Sequence, residues 1–101
     1  MIEKVSEYNI QQSEALRNLE TNDSFILNHV VIDPGQSFPA HVTEHDVYII
    51  IAKGQVSIKI NDQSLHNYKS GNMISFPKGV VSGISNNSES QTELFVVKSV
   101  K

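Results

Sequence analysis

Four histidines, His29, His41, His45 and His66, are the chain's candidates for acid–base or metal chemistry, because it has no cysteine to supply a thiolate or a disulfide. Two of them stand out by spacing. His41 and His45 lie four residues apart, with Glu44 beside the second. On an unbroken strand, residues at even separations share a face, so His41, Thr43 and His45 would point the same way. Two imidazoles and a carboxylate with open coordination positions suit a catalytic divalent ion such as Fe, Mn, Ni or Zn. His29 falls in a stretch of mixed polarity and reads as a core or surface histidine, and His66 as an exposed one. Other chemistry is missing: there is no phosphate-binding glycine loop, no nucleophile elbow and no pair of histidines flanking a glutamate on a helix.

The elements that must position these groups are strands. From Ser24 onward, apolar stretches alternate with turn residues. Phe25 to Ile32 is rich in β-branched and aromatic residues and stops at Pro34-Gly35. Val47 to Ala52 is a near-continuous apolar run ending at Lys53-Gly54. Gln55 to Ile60 alternates polar and apolar residues, which predicts one buried and one wet face. Asn61-Asp62, Ser70-Gly71-Asn72 and Pro77-Lys78-Gly79 separate a short segment around Leu65 and Tyr68, the strand Met73–Phe76, and a strand from Val80 to Ile84. A polar loop from Asn86 to Ser90 precedes a final strand over Leu94 to Val97. The first 23 residues read as an irregular arm, with one helical turn over Ser13–Leu19 capped by Ser13. Short strands with no crossover helix between them indicate a sandwich or barrel, all-β, in one domain of residues 1–101 with the barrel over 24–101.

At 101 residues, folding buries roughly 65% of the unfolded chain's surface, enough for one core. A net charge of -3 without a basic cluster argues against nucleic acid and anionic membranes as partners. No apolar stretch approaches the ~20 residues that cross a bilayer. Glu3, Lys4 and Glu7 occupy the place where an export signal needs an apolar run, so the cytoplasm is the expected compartment.

Two glycine-and-proline frames go further. Gly35, five residues, His41 and then Gly54 make the first; Gly71, five residues, Pro77, one residue, Gly79, then Ser82 and Asn86 make the second. Together they resemble the two motifs of the cupin superfamily over roughly the last two-thirds of the chain. The resemblance implies a double-stranded β-helix, a jelly-roll barrel whose mouth can hold a ligand. Glycines at Gly54 and Gly71 would sit where strands reverse with positive φ, and Pro77 would sit at a strand end. Phe38, Ile74 and Phe76 would fill the barrel.

The same resemblance puts the family's four metal ligands at His41, Thr43, Val47 and Ser82. Of these His41 alone is a strong ligand, so the standard site is broken. Imidazoles and a carboxylate are what hold such ions at ~2.0–2.2 Å. The resemblance also puts His45 in a loop between two strands. Tyr48, next to the lost carboxylate position, is assigned to the same pocket. A Ser82–His41 nucleophilic pair would need a third, orienting group, and none is apparent. The first expectation is therefore a barrel that binds a small molecule without the standard metal, through His41, Thr43, Val47, Ser82 and Tyr48. The alternative is a metal-dependent enzyme of dioxygenase or isomerase type with a site rebuilt from His41 and His45. Pairing of two copies through their sheets, as a homodimer, is expected in either case.

Overall fold

The computed structural model describes residues 2–101, and among these there are nine strands and no helix. They are β1 (Leu16–Thr21), β2 (Phe25–Ile32), β3 (Ser37–Val42), β4 (Asp46–Lys53), β5 (Gln55–Ile60), β6 (His66–Lys69), β7 (Met73–Phe76), β8 (Val81–Ser85) and β9 (Thr92–Ser99). A five-stranded sheet in the order β1-β2-β9-β4-β7 faces a four-stranded sheet in the order β3-β8-β5-β6, every pairing antiparallel. This is the two-sheet double-stranded β-helix that the resemblance implies. Among the described residues no helix is long and apolar enough to cross a membrane.

The core lies between the sheets and follows from the two-residue period of strands. In β4, Val47, Ile49 and Ile51 point inward while Tyr48 and Ile50 alternate with them and are exposed. Ile32, Val56, Ile58, Leu94 and Val96 complete the centre with Phe76. Ile49 and Leu94 are fully buried, and burying each such side chain contributes about 1.5–3 kcal/mol. Phe38 and Ile74 pack against this cluster from positions that are only partly buried. Ser57, on the outward face of β5, departs from the expected wet face. It is buried because its hydroxyl donates to Asn67 Oδ1 at 2.5 Å and accepts from Asn87 Nδ2 at 3.1 Å.

Two elements correct the sequence reading. The segment expected to form a helical turn over Ser13–Leu19 instead leads into β1, whose residues pair with β2 from Leu16↔Val30 to Thr21↔Ile26. An exposed backbone row on β2 recruits it, and local propensity is overridden by that pairing. Ser37–Val42 carries no clear strand pattern in the sequence, because Pro39 interrupts it, yet it forms β3. The register shifts between Phe38 and His41, and Pro39 sits in that irregularity, where its missing N–H leaves no ladder bond unmade.

The arm preceding β1 covers the outer face of the five-stranded sheet around His29, which is fully buried there. Gln12 Nε2 donates to the carbonyls of Glu14 (2.5 Å) and His29 (3.2 Å), which turns its amide oxygen toward His29 Nδ1 at 2.8 Å. His29 Nε2 lies 2.9 Å from Glu93 Oε2. Both ring nitrogens thus face oxygen, and the ring stacks on Phe95 with Tyr8 edge-on to both. His29 is a structural histidine that fastens the arm, not a member of the barrel interior. Beyond the arm the same outer face leaves Tyr48, Ile50 and Met73 exposed.

Candidate functional site

Register places the candidate residues in two facing rows. On the inner face of the five-stranded sheet, Ile26, Lys98, Val47 and Phe76 are successive cross-strand partners, and Asn28, Val96, Ile49 and Ile74 form the next row inward. On the four-stranded sheet His41 pairs with Ser82 and Phe38 with Ile84. Because the irregularity at Pro39 adds a residue to β3, Phe38 and His41 face the same way although they are three apart. A cavity of about 110 Å³ lies between the two sheets, walled mainly by apolar side chains. His41, Thr43, Val47 and Ser82 all line it, with Asn28 and Lys98.

Each polar group there is in a distinct state. His41 is exposed at the mouth, and its Nδ1 donates to the Pro39 carbonyl at 3.3 Å. In the neutral ring Nε2 is then left with its lone pair, a hydrogen-bond acceptor or proton acceptor. Thr43 is buried, and its hydroxyl faces the carbonyls of Val80 (3.1 Å) and Pro77 (3.2 Å). Its main chain adds bonds to Val80 O and from Gly79 N, so Thr43 binds the β3–β4 turn to the β7–β8 turn. That hydroxyl proton serves the backbone rather than the cavity. Ser82 is 3% exposed and its hydroxyl has no protein partner among the described residues. No hydrogen bond joins it to His41, and no carboxylate lines the cavity to orient such a pair.

Tyr48 lies outside. The strand period that turns Val47 and Ile49 inward sends its ring to the opposite face of β4, so it lines neither the cavity nor the mouth. His45 follows the end of β3 in the bend before β4 and lines only an outer depression, together with Glu44. The even-separation argument fails for it because the strand ends at Val42. That depression shares His41, Thr43, Val47 and Lys98 with the cavity, and it is the cavity's opening.

Two residues of this site were not found from the sequence. Asn28 and Lys98 both stand on inward positions, alternating with Val30 and Ile32 in β2 and with Leu94 and Val96 in β9. The signal was the alternation itself, with a polar residue closing an otherwise apolar row.

The donor set does not suit a divalent cation. Among the described residues no three His, Asp or Glu side chains come close enough to hold one. An isopropyl group occupies the carboxylate position at Val47, and the cross-strand partner of Val47 is a lysine. An ammonium beside the site opposes a dication instead of neutralising it.

Comparison with known proteins places this geometry in context. A cupin domain family matches residues 28–98. An uncharacterised protein of Methanocaldococcus jannaschii is 35% identical over 99 residues, which are 97% of this chain and 85% of that one. The crystal structure from the same organism of a protein described as RmlC-like cupin family, with a double-stranded β-helix, superimposes with a TM-score of 0.90 at 35% identity, over 98% of this chain and 92% of the other. Two more distant structures share the fold alone. One is the cupin domain of Schizosaccharomyces pombe Cnp3, with TM-score 0.80 and 20% identity over 93% of this chain and 69% of that one. The other is the polyketide cyclase RemF of Streptomyces resistomycificus, with TM-score 0.76 and 23% identity over 85% and 64%.

Proposed function

The chain belongs to the cupin family, and from that premise we propose that its barrel binds a small molecule directly, without the family's metal. The observation that carries this reading is that His41, Thr43, Val47 and Ser82 surround one apolar cavity while only His41 keeps a strong metal-ligating group. Val47 lines it with hydrocarbon and Thr43 holds the backbone. What is left is a hydrophobic space with a few polar groups, the usual make-up of a small-molecule site. No reaction follows from the fold, since unrelated chemistries share it.

Thermal unfolding with and without excess Fe²⁺, Mn²⁺, Ni²⁺ or Zn²⁺ tests the metal-free part. A native-state ligand at 100 times its Kd stabilises by about 2.7 kcal/mol, which for a chain of this size raises Tm by roughly 10–20 °C. We expect no such rise. Stoichiometric metal in protein purified without a histidine tag, lost in His41→Ala, would overturn the reading and restore the metal-enzyme alternative.

Pairing of two copies belongs to the same proposal. It is supported by the uncovered apolar surface of Tyr48, Ile50 and Met73 on the five-stranded sheet. Light scattering should give twice the 11.2 kDa chain mass, and a single-chain mass at high concentration removes it.

A further inference from the structure

The charge and hydrogen-bonding character of the cavity specify its ligand more narrowly. None of its lining residues is acidic, and Lys98 is the one residue among them with a permanent charge. Lys98 makes no ion pair or side-chain hydrogen bond among the described residues, although it faces both the cavity and its mouth. Half-buried ammonium groups are ordinarily matched by a carboxylate or left free to reach water along an apolar stem. Here the stem stands in the row between Ile26 and Val47, over the entrance.

Asn28 supplies an independent observation. It is 5% exposed, and its orientation is set by Asn18. Asn18 Nδ2 donates to Glu20 O, Leu27 O and Asn28 Oδ1, so the Asn28 atom it meets, at 3.0 Å, is the oxygen. The Asn28 amide nitrogen therefore remains, with two protons and no protein acceptor among the described residues, on a side chain that lines the cavity. Asn28 pairs with Val96 and Lys98 with Ile26, which makes them diagonal neighbours on one face, ~7–8 Å apart and within reach of one ligand. With the unpartnered Ser82 hydroxyl opposite, the donors converge on a cavity wall that holds no anion; Glu44 stands outside it, at the mouth, and makes no ion pair with Lys98 among the described residues.

We propose that the ligand is a small organic carboxylate, its anionic head held by Lys98 and Asn28 and its short apolar body in the cavity. This rests on the small-molecule reading above and deepens it. The size follows from volume. A cavity of ~150 Å³ accepts benzene, and this one, at about 110 Å³, takes a branched body of about four carbons.

Isovalerate and its neutral isostere isovaleramide are the probes, and methyl chemical shifts of Val47, Ile49 and Val96 are the readout. Titration should show isovalerate binding at least ~10-fold tighter than the amide, the scale of a charge-assisted hydrogen bond. Lys98→Met should reduce the acid to the amide's affinity, and Lys98→Arg should keep the preference. If acid and amide bind alike, or Lys98→Met leaves the preference intact, the carboxylate assignment is wrong while the cavity reading stands. If neither probe moves those methyls, both are wrong.

Discussion

Replacing Asn86 with alanine should destabilise the protein by about 3–4 kcal/mol, seen as a lower urea midpoint with an unchanged slope. The side chain is completely buried, and each of its polar atoms is used twice. Nδ2 donates to Ile32 O and Ser90 O, both at 2.8 Å, and Oδ1 accepts from Ser88 N at 2.9 Å and Ser88 Oγ at 2.6 Å. Its main chain bonds Gln36 O and Gly35 N. One residue thus joins the end of β2, the β2–β3 turn and the β8–β9 loop. Alanine takes a donor from the buried Ile32 carbonyl and an acceptor from Ser88 N, while Ser90 O keeps the Ser88 hydroxyl at 3.0 Å, and an unsatisfied buried polar group costs about 1–3 kcal/mol. The missing amide also leaves a void. Aspartate is worse, since it sets an acceptor against those carbonyls. This loss is a large share of the 5–15 kcal/mol that stabilises a typical domain. A change below 1 kcal/mol would mean that water replaces the amide and that the network does not hold the loop. The mouth residues His41 and Lys98 lie at the opposite end of their strands, so folded Asn86→Ala should retain the cavity.

The strands legible in the sequence were those whose boundaries are written locally. β2, β5 and β7 carry β-branched or alternating residues between turn residues, and their observed limits match the expected ones. β1 and β3 are written elsewhere. Leu16–Thr21 is a strand because β2 offers an unpaired edge, and Ser37–Val42 is one despite Pro39 because an irregularity absorbs the proline. The cavity behaved similarly. The resemblance to cupins pointed to His41, Thr43, Val47 and Ser82, which do line one space, but it said nothing of which hydroxyl was free. Thr43 and Ser82 look equivalent as sequence and differ in partners brought from the β7–β8 turn. Tyr48 and Lys98 are the reverse case. Reading 47–52 as a continuous apolar run hid the alternation that sends Tyr48 outward, and the same alternation brings Lys98 in.

Gly54→Ala should lose about 2–5 kcal/mol, more than Gly79→Ala, and the difference isolates packing from backbone strain. Both glycines have positive φ, 83° and 92°. An L-residue in the left-handed region costs about 1–2 kcal/mol, so both variants share that penalty. At Gly79 an added Cβ meets no atom within 4 Å. At Gly54 it would meet Gln91 O and Thr92 Oγ1 at 2.9 Å and Thr92 Cα at 3.1 Å. Two of those three atoms are backbone and cannot swing aside. The third is the Thr92 hydroxyl, which accepts from Gln55 N at 3.2 Å and donates to Gln55 O. Thr92 is fully buried, so displacing its hydroxyl breaks the clamp that starts β5 against β9. Overpacking of this kind adds roughly 1–3 kcal/mol. Gly54 is thus required by the close approach of β9 as well as by the turn, which explains why a family frame residue stands there. Paired denaturation curves decide it: equal losses in the two variants would leave only backbone conformation as the reason for glycine at 54.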